Sequence, residues 1–287
     1  MTPVHPNSPA VVFLVAGQSN AGGTGVLSPE IHEAYGHHID RPLVPETTAH
    51  EVGLPIDAEA YTHSYIWTPN HGLERIDPHC NAKPAQPETP GHGMELPVIL
   101  ELEKRFPSND IFVVKYGPGN TNLHHEWSPQ RHDGLYATWL SYYRKAMAEL
   151  SETYPEIRVV GLYWDQGETD GINGKHCEYA KNLEYFIAAA RCDTGVRGLR
   201  FFIRKHIFDW PNIDAIIAAQ EAVVANDSLC HLLDIDLGDR QKNYEAWAYS
   251  PNNGHVSSKG FVKLTKQLFD GPLRGATTES FDVYATK

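Results

Sequence analysis

Residues 11–25, VVFLVAGQSNAGGTG, constrain the fold of this chain more than any other stretch. Val11 to Val15 is an apolar run too short for a helix and rich in β-branched residues, so it reads as a buried strand. The residues after it cannot prolong a strand. Gly17 permits a sharp turn, and Gly22, Gly23 and Gly25 keep the next segment free of bulk. One hydroxyl, Ser19, is left at the carboxyl end of a central strand, where open α/β sheets bind their ligands. A serine placed there with its N–H turned outward is a candidate nucleophile with half an oxyanion hole. A plain polar turn would use the same residues. A phosphate-binding turn fits less well, since no Lys follows within reach and neither GxGxxG nor GxxxxGK followed by Ser or Thr is present.

Further strands follow the same pattern. Ile111 to Lys115 ends in Gly117-Pro118-Gly119-Asn120, and Ile157 to Trp164 ends in Asp165-Gln166-Gly167-Glu168. Leu199 to Ile203 and His231 to Leu237 are the fourth and fifth. Between them lie helical patterns. From Met94, Leu96, Ile99, Leu100 and Phe106 share a face, with Pro97 in the first turn, where its missing N–H costs nothing. Helices are also expected over 134–153, 175–192, 213–227 and 257–269. Short apolar strands alternating with helices predict an α/β fold: a three-layer α/β/α sandwich on a five-stranded parallel sheet, with flavodoxin-like order. No linker, repeat or low-complexity tract divides the chain, so residues 1–287 are expected to form a single domain. Residues 26–92 are rich in Pro, Gly and His and show little periodicity. They read as an irregular insertion near the site, partly a hairpin of Tyr61 to Thr68 with a partner strand from Leu73.

Composition narrows the function classes. A net charge of −12 argues against nucleic acid or an anionic membrane as partner. No run approaches the roughly 20 apolar residues of a membrane span. MTPVHPNSPA has neither a basic n-region nor an apolar h-region, so a cytoplasmic location is expected unless a leader was removed. Cys80, Cys177, Cys192 and Cys230 form no CxxC pair, and free buried thiols are favoured over one disulfide.

Polar stations at successive strand ends converge on one rim. Ser19 follows the first strand, Gly119-Asn120-Thr121 the second, and Gln166-Gly167-Glu168 the third; His255 lies in SPNNGHVSSKG before the last helix. Such a set suits acyl transfer. Ser19 would attack an ester carbonyl, His255 would take its proton, and the N–H groups of Ser19 and Gly119, with an amide side chain, would hold the oxyanion. Gln18, Asn120 and Glu168 border the same rim and are assigned to substrate binding.

GQSN, GNTNLHHEW, QGETD and the late GH together resemble the SGNH hydrolases, and more narrowly the sialate O-acetylesterase and acetylxylan-esterase-like branch, carbohydrate esterase family 6 and its relatives. HGMELPVILELEKR is similar to that branch's GPExGxA helix start, and AAQEAVV followed by LLDIDLGD to the elements before its histidine. The resemblance spans about residues 11–269. It implies Ser19 as nucleophile, His255 as general base, and Gly119 and Gln166 as oxyanion partners, with no cofactor. The chain departs from the family pattern at Asn252, where the family has the triad Asp, at Asn120, where it has a second Gly, and at Asp165, where it often has His. A missing triad carboxylate leaves a Ser–His dyad, or a system that recruits Asp236, Asp239 or Glu245.

His124, His125 and His132 share a loop with Glu126 and Asp133, but their spacing matches no standard metal pattern, so no metal is assigned. Among Trp67, Trp127, Trp164, Trp210 and Trp247, Trp127 and Trp247 sit in polar loops beside the stations and are the candidates for stacking on sugar. Arg204-Lys205-His206 could reach an acidic sugar or be a solvated loop end. The resulting expectation is a serine esterase removing O-acetyl groups from carbohydrate, either an acetylated poly- or oligosaccharide or sialic acid. A short-chain lipase or lysophospholipase of the same fold would want a broad apolar approach. A catalytically weak carbohydrate-binding relative is the reading that Asn252 supports.

Overall fold

The computed structural model describes residues 2–34, 43–86, 89–251 and 253–284. Strand β1 (Ala10–Gly17) is buried along its whole length. Its side chains alternate between two cores: Val12, Leu14 and Ala16 face one, and Val11, Phe13 and Val15 the other. A strand covered on both faces needs no polar residue, which is why its sequence is an unbroken apolar run.

The remaining strands are β2 (Ser64–Thr68), β3 (Gly72–Arg75), β4 (Ile111–Tyr116), β5 (Ile157–Asp165), β6 (Phe201–Arg204), β7 (Cys230–Leu233) and β8 (Asp282–Val283). They form one sheet in the order β3-β2-β4-β1-β5-β6-β7, with β8 paired to β5. The five expected strands are the parallel set β4-β1-β5-β6-β7, in the 2-1-3-4-5 flavodoxin-like order. The expected strand count is too low, because the hairpin in the insertion is part of the main sheet. β2 runs parallel to β4 from Ser64 against Ile111, and β3 folds back antiparallel on β2. Tyr65, Ile66 and Trp67 are buried there, so β2, held between β3 and β4, extends both cores.

The helices are α1 (Ser19–Gly22), α2 (Pro29–Ala34), α3 (Glu95–Arg105), α4 (Leu135–Thr153), α5 (Glu168–Ile172), α6 (Tyr179–Asp193), α7 (Ile213–Asn226), α8 (Arg240–Trp247) and α9 (Ser258–Asp270). Trp139, Tyr143 and Leu150 of α4, Phe186 of α6 and Ile216 of α7 cover one face of the sheet. Leu96, Ile99 and Leu102 of α3 and Phe261, Leu264 and Leu268 of α9 cover the other. Helix α8 has no apolar stripe to announce it. It is started by Asp239, whose carboxylate accepts the Lys242 N–H at 3.1 Å.

Two glycines bring the strand exits together. Gly17 has φ +143°, and a Cβ there would stand 2.1 Å from the Asp165 carbonyl oxygen. A Cβ on Gly22 would stand 2.1 Å from the Gly117 carbonyl oxygen. Only backbone without a side chain lets the turn after β1 press on the ends of both β5 and β4. The cysteine expectation is corrected: all four are free, but Cys80, Cys177 and Cys192 are exposed and only Cys230 is buried.

The insertion is tied down by buried polar groups. Lys115, inside β4, is buried, pairs with Glu95 at 2.7 Å and donates to the Ala82 carbonyl at 2.7 Å. His92 is fully buried. Its Nδ1 lies 2.8 Å from the Gly93 carbonyl and its Nε2 2.8 Å from Ser258 Oγ at the start of α9. Burial lowers the His92 pKa to about 4, against the pull of Glu95. The folded state therefore holds His92 neutral where the unfolded chain has already taken up a proton. Its contribution to stability is complete above pH 6.5 and is lost as the pH falls toward 4, a change of roughly 3 kcal/mol. Urea unfolding of wild type between pH 6.5 and 4 should be steeper in pH than that of His92→Gln by about this amount. Equal slopes would show that His92 does not govern the acid limb of stability.

Candidate active site

Ser19 opens α1 directly after β1, so its N–H is the first of a helix and is not consumed by a helical hydrogen bond. Its Oγ lies 3.0 Å from His255 Nε2. His255 reaches it from a small hairpin in which Ala248 pairs with Val256 and the Tyr249 N–H donates to the His255 carbonyl at 3.4 Å. Within that hairpin Asn253 donates its N–H to the Ser250 carbonyl at 3.2 Å and accepts the His255 N–H at 2.7 Å. The Asn253 side-chain oxygen meets His255 Nδ1, and its amide nitrogen donates to the Tyr249 hydroxyl at 2.7 Å.

The group found on Nδ1 is thus Asn253. Asn252, expected in that role, lies outside the described residues. The three alternative carboxylates are corrected. Asp236 accepts from the Asn243 side chain and the Gly238 N–H, Asp239 caps α8, and Glu245 accepts from Gln241. Each is spent on its own turn or helix.

Asn20, the residue after the serine, joins the separate motifs. Its side-chain oxygen accepts the Val256 N–H at 2.9 Å and the Thr24 hydroxyl at 3.0 Å, and its nitrogen donates to Glu168 at 3.3 Å. Opposite, Gly119 is exposed at the end of β4, and a Cβ on it would lie 3.6 Å from Ser19 Cβ. The Gly119 backbone therefore lies beside the serine. Asn120 beside it is exposed, with φ +58°.

Below this rim lies a buried polar network that takes up several residues assigned to substrate. Gln166 is wholly buried. Its nitrogen lies 2.6 Å from Asp170 Oδ2, 3.0 Å from the Thr121 carbonyl and 3.3 Å from Gln18 Oε1. It braces the loops rather than facing an oxyanion, and Gln18, buried with it, does not border an open site. Asp170 also accepts the Leu123 N–H at 2.7 Å and the His124 N–H at 3.0 Å; burial raises its pKa despite these donors. Glu168 is buried against Arg204 at 2.9 Å and His206 at 3.3 Å. Burial works against its charge, but His206 and Arg204 hold the carboxyl well below its usual range. Arg204 also clasps Asp165 through two hydrogen bonds of 2.6 and 2.7 Å. Burial opposes the guanidinium charge, and Asp165 and Glu168 more than restore it. Arg204 and His206 are thus neither solvated nor within reach of a sugar. Lys205 pairs with Asp234 at 2.9 Å.

The aromatic assignments are corrected as well. Trp127 is fully buried, donates to Thr121 Oγ1 at 3.1 Å and packs edge-on against Trp164 at 5.4 Å, so it cannot stack on a ligand. Trp247 is half-buried and packs on the core beneath α9. The aromatic ring at the site is Tyr249, whose plane is 29° from that of His255 with 6.2 Å between centroids. In the histidine-rich loop, His124 pairs with Glu178 at 3.2 Å and His125 contacts Arg131. Among the described residues no group of three or more His, Cys, Asp or Glu gathers to hold a metal.

Ser19, Gly119, Tyr249 and His255 open onto a cavity of about 420 Å³. Its far wall comes from the insertion: Val26, Leu27, Ile31 and His32 on one side, Lys83, Gln86 and Thr89 on the other. Sequence reasoning placed the insertion near the site but missed Asn20, Asn253, Tyr249 and the residues that form this wall. The signals available were an Asn inside GQSN and an Asn two residues before the histidine.

The chain is thus a three-layer α/β/α fold with a serine station at the carboxyl end of its central parallel strand. The chain belongs to the family of carbohydrate esterases described as sialic acid-specific acetylesterases, whose profile matches residues 9–271. It is accordingly a carboxylic ester hydrolase. A protein from Arabidopsis thaliana has the same fold at 18% identity and TM-score 0.68, covering 93% of this chain and 99% of its own. NanS is similar at 17% identity and TM-score 0.61, over 93% and 98%. A carbohydrate acetylesterase from Xanthomonas citri matches at 15% identity and TM-score 0.53, over 90% of this chain and 55% of its own. No curated protein sequence matches the chain significantly.

Replacing Arg204 would leave Asp165 buried without its cationic partner and Glu168 with His206 alone. Arg204→Met should cost about 3–5 kcal/mol of stability, and Arg204→Lys should not restore it, because an ammonium cannot reproduce the two-pronged contact with Asp165. Urea denaturation of the three proteins checks this; a loss below about 1 kcal/mol would mean the network is not holding the rim.

Proposed function

We propose that this protein removes O-acetyl groups from sugars through an acetyl-enzyme on Ser19. The observation that carries the reading is the 3.0 Å contact between Ser19 Oγ and His255 Nε2 at the carboxyl rim, directly opposite Gly119. In the first half-reaction Ser19 Oγ attacks the acetyl carbonyl carbon while His255 Nε2 takes its proton. The negative charge that develops on the carbonyl oxygen is met by the Ser19 and Gly119 N–H groups. Collapse expels the sugar oxygen, which leaves with the proton held by His255. A water then gives its proton to His255 and attacks the acetyl carbon. Acetate departs, and the proton returns to Ser19.

The cavity wall supports a carbohydrate over a long acyl chain. Thr24, His32, Lys83, Gln86 and Thr89 offer hydrogen-bonding groups, and Lys83, which donates to Thr89 at 2.8 Å, adds a cation suited to an acidic sugar such as sialic acid. These groups favour an acetylated sugar over a lipid ester, while Val26, Leu27 and Ile31 give the same wall a smaller apolar part.

Ser19→Ala should lower kcat/KM on acetyl esters by about a thousandfold or more while the folded state persists, since a rim hydroxyl contributes little to stability. Wild-type turnover in that variant would remove Ser19 from the mechanism. On unmodified enzyme, acetyl esters should exceed octanoyl esters in kcat/KM by more than the 10–200-fold that one methylene decides. Comparable rates on the two would point to a lipase, and acetylated oligosaccharides and sialic acids assayed side by side would then rank the sugars.

A further inference from the structure

We propose that Asn253 is the positioning residue for His255, its amide oxygen holding the imidazole with Nε2 free to accept the serine proton. This rests on the reading of Ser19 as nucleophile and His255 as base. An amide oxygen can only accept a hydrogen bond, so its contact with His255 Nδ1 places the ring proton on Nδ1 and leaves the Nε2 lone pair toward Ser19. A reversed amide would offer N–H to Nδ1. The ring proton would then sit on Nε2, pointing at Ser19, and the serine proton would have no acceptor. The Asn253 amide N–H donates to the Tyr249 hydroxyl at 2.7 Å, which ties the side chain down beside the ring. Both side chains are at least nine-tenths buried, Asn253 being 4% exposed and Tyr249 5%, so water cannot readily replace either contact. The backbone of the hairpin fixes their separation, since Tyr249 pairs with His255 and Asn253 pairs with Ser250.

Asn253 supplies a dipole where the family has a carboxylate. It sets the tautomer without adding negative charge beside the imidazolium that forms in the transition state. Among the described residues, Ser19 from α1, Tyr249 stacked on the ring and Trp210 edge-on at 6.5 Å lie around it. His32 and Lys83 line the same cavity, and Glu168 is linked to this hairpin through Asn20 and Val256.

The experiment is kcat and KM against pH, on an acetyl ester, for wild type, Asn253→Leu, Asn253→Asp, Asn252→Asp and Ser19→Ala. Asn253→Leu should lower kcat about a hundredfold, with KM within about threefold. Asn253→Asp should raise kcat and move the acidic limb to higher pH by about one unit, because a carboxylate favours the imidazolium. Unchanged kcat in Asn253→Leu, an unmoved acidic limb in Asn253→Asp, or a shift produced by Asn252→Asp in its place would overturn the assignment to Asn253. Full activity in Ser19→Ala would instead sink the underlying reading of the site.

Discussion

The geometry at the rim depends on one buried guanidinium. Arg204, at the end of β6, is paired on one side with Asp165 and on the other with Glu168. The Asp165 carbonyl in turn receives the Gln18 N–H at 2.9 Å, which fixes the turn that presents Ser19. Glu168 receives the Asn20 side chain, and Asn20 receives the N–H of Val256, next to the histidine. Nucleophile and base are 236 residues apart in sequence, yet both are referenced to the same charge. Three buried charges carry a heavy desolvation cost, which is offset only where nearly every lone pair and proton has a partner. Tyr163 on Asp165 at 2.7 Å and His206 on Glu168 Oε1 add to the guanidinium's contacts, while Glu168 Oε2 is buried without a hydrogen-bond partner among the described residues.

Chemistry and recognition come from different parts of the chain. The parallel sheet provides the converging strand ends, and their glycines allow an approach that no other residue would permit. The wall of the cavity comes from the insertion, which is carried on a hairpin added to the sheet edge and fixed by the buried contacts of Lys115 and His92. Loops positioned on a rigid scaffold are where binding specificity can vary without disturbing the reacting atoms. Here the scaffold and the loop share a border at Gly25, which pairs with His92 beside the nucleophile helix.

The sequence by itself determined the strand-and-helix alternation, the strand order, and the stations at which chemistry had to occur. Those signals are local: an apolar run long enough for one strand, a glycine where the chain must turn, and a hydroxyl left at the exit. It also carried the family, since GQSN, QGETD and the late GH keep their order whatever surrounds them. Tertiary structure decided what each polar side chain does. Gln166 and Trp127 look available in the sequence because their neighbours are polar, yet the fold closes over both. Asp236 and Glu245 precede the histidine closely, yet each is consumed within its own element. Asn253 has the same local composition as the residues beside it and acquires its role because the Ala248–Val256 hairpin turns its oxygen onto the imidazole. Periodicity and turn chemistry act over a few residues and can be read from a string. Hydrogen-bond partners such as Asn20 with Val256 are created when distant strand ends arrive at one rim, and no local pattern specifies them.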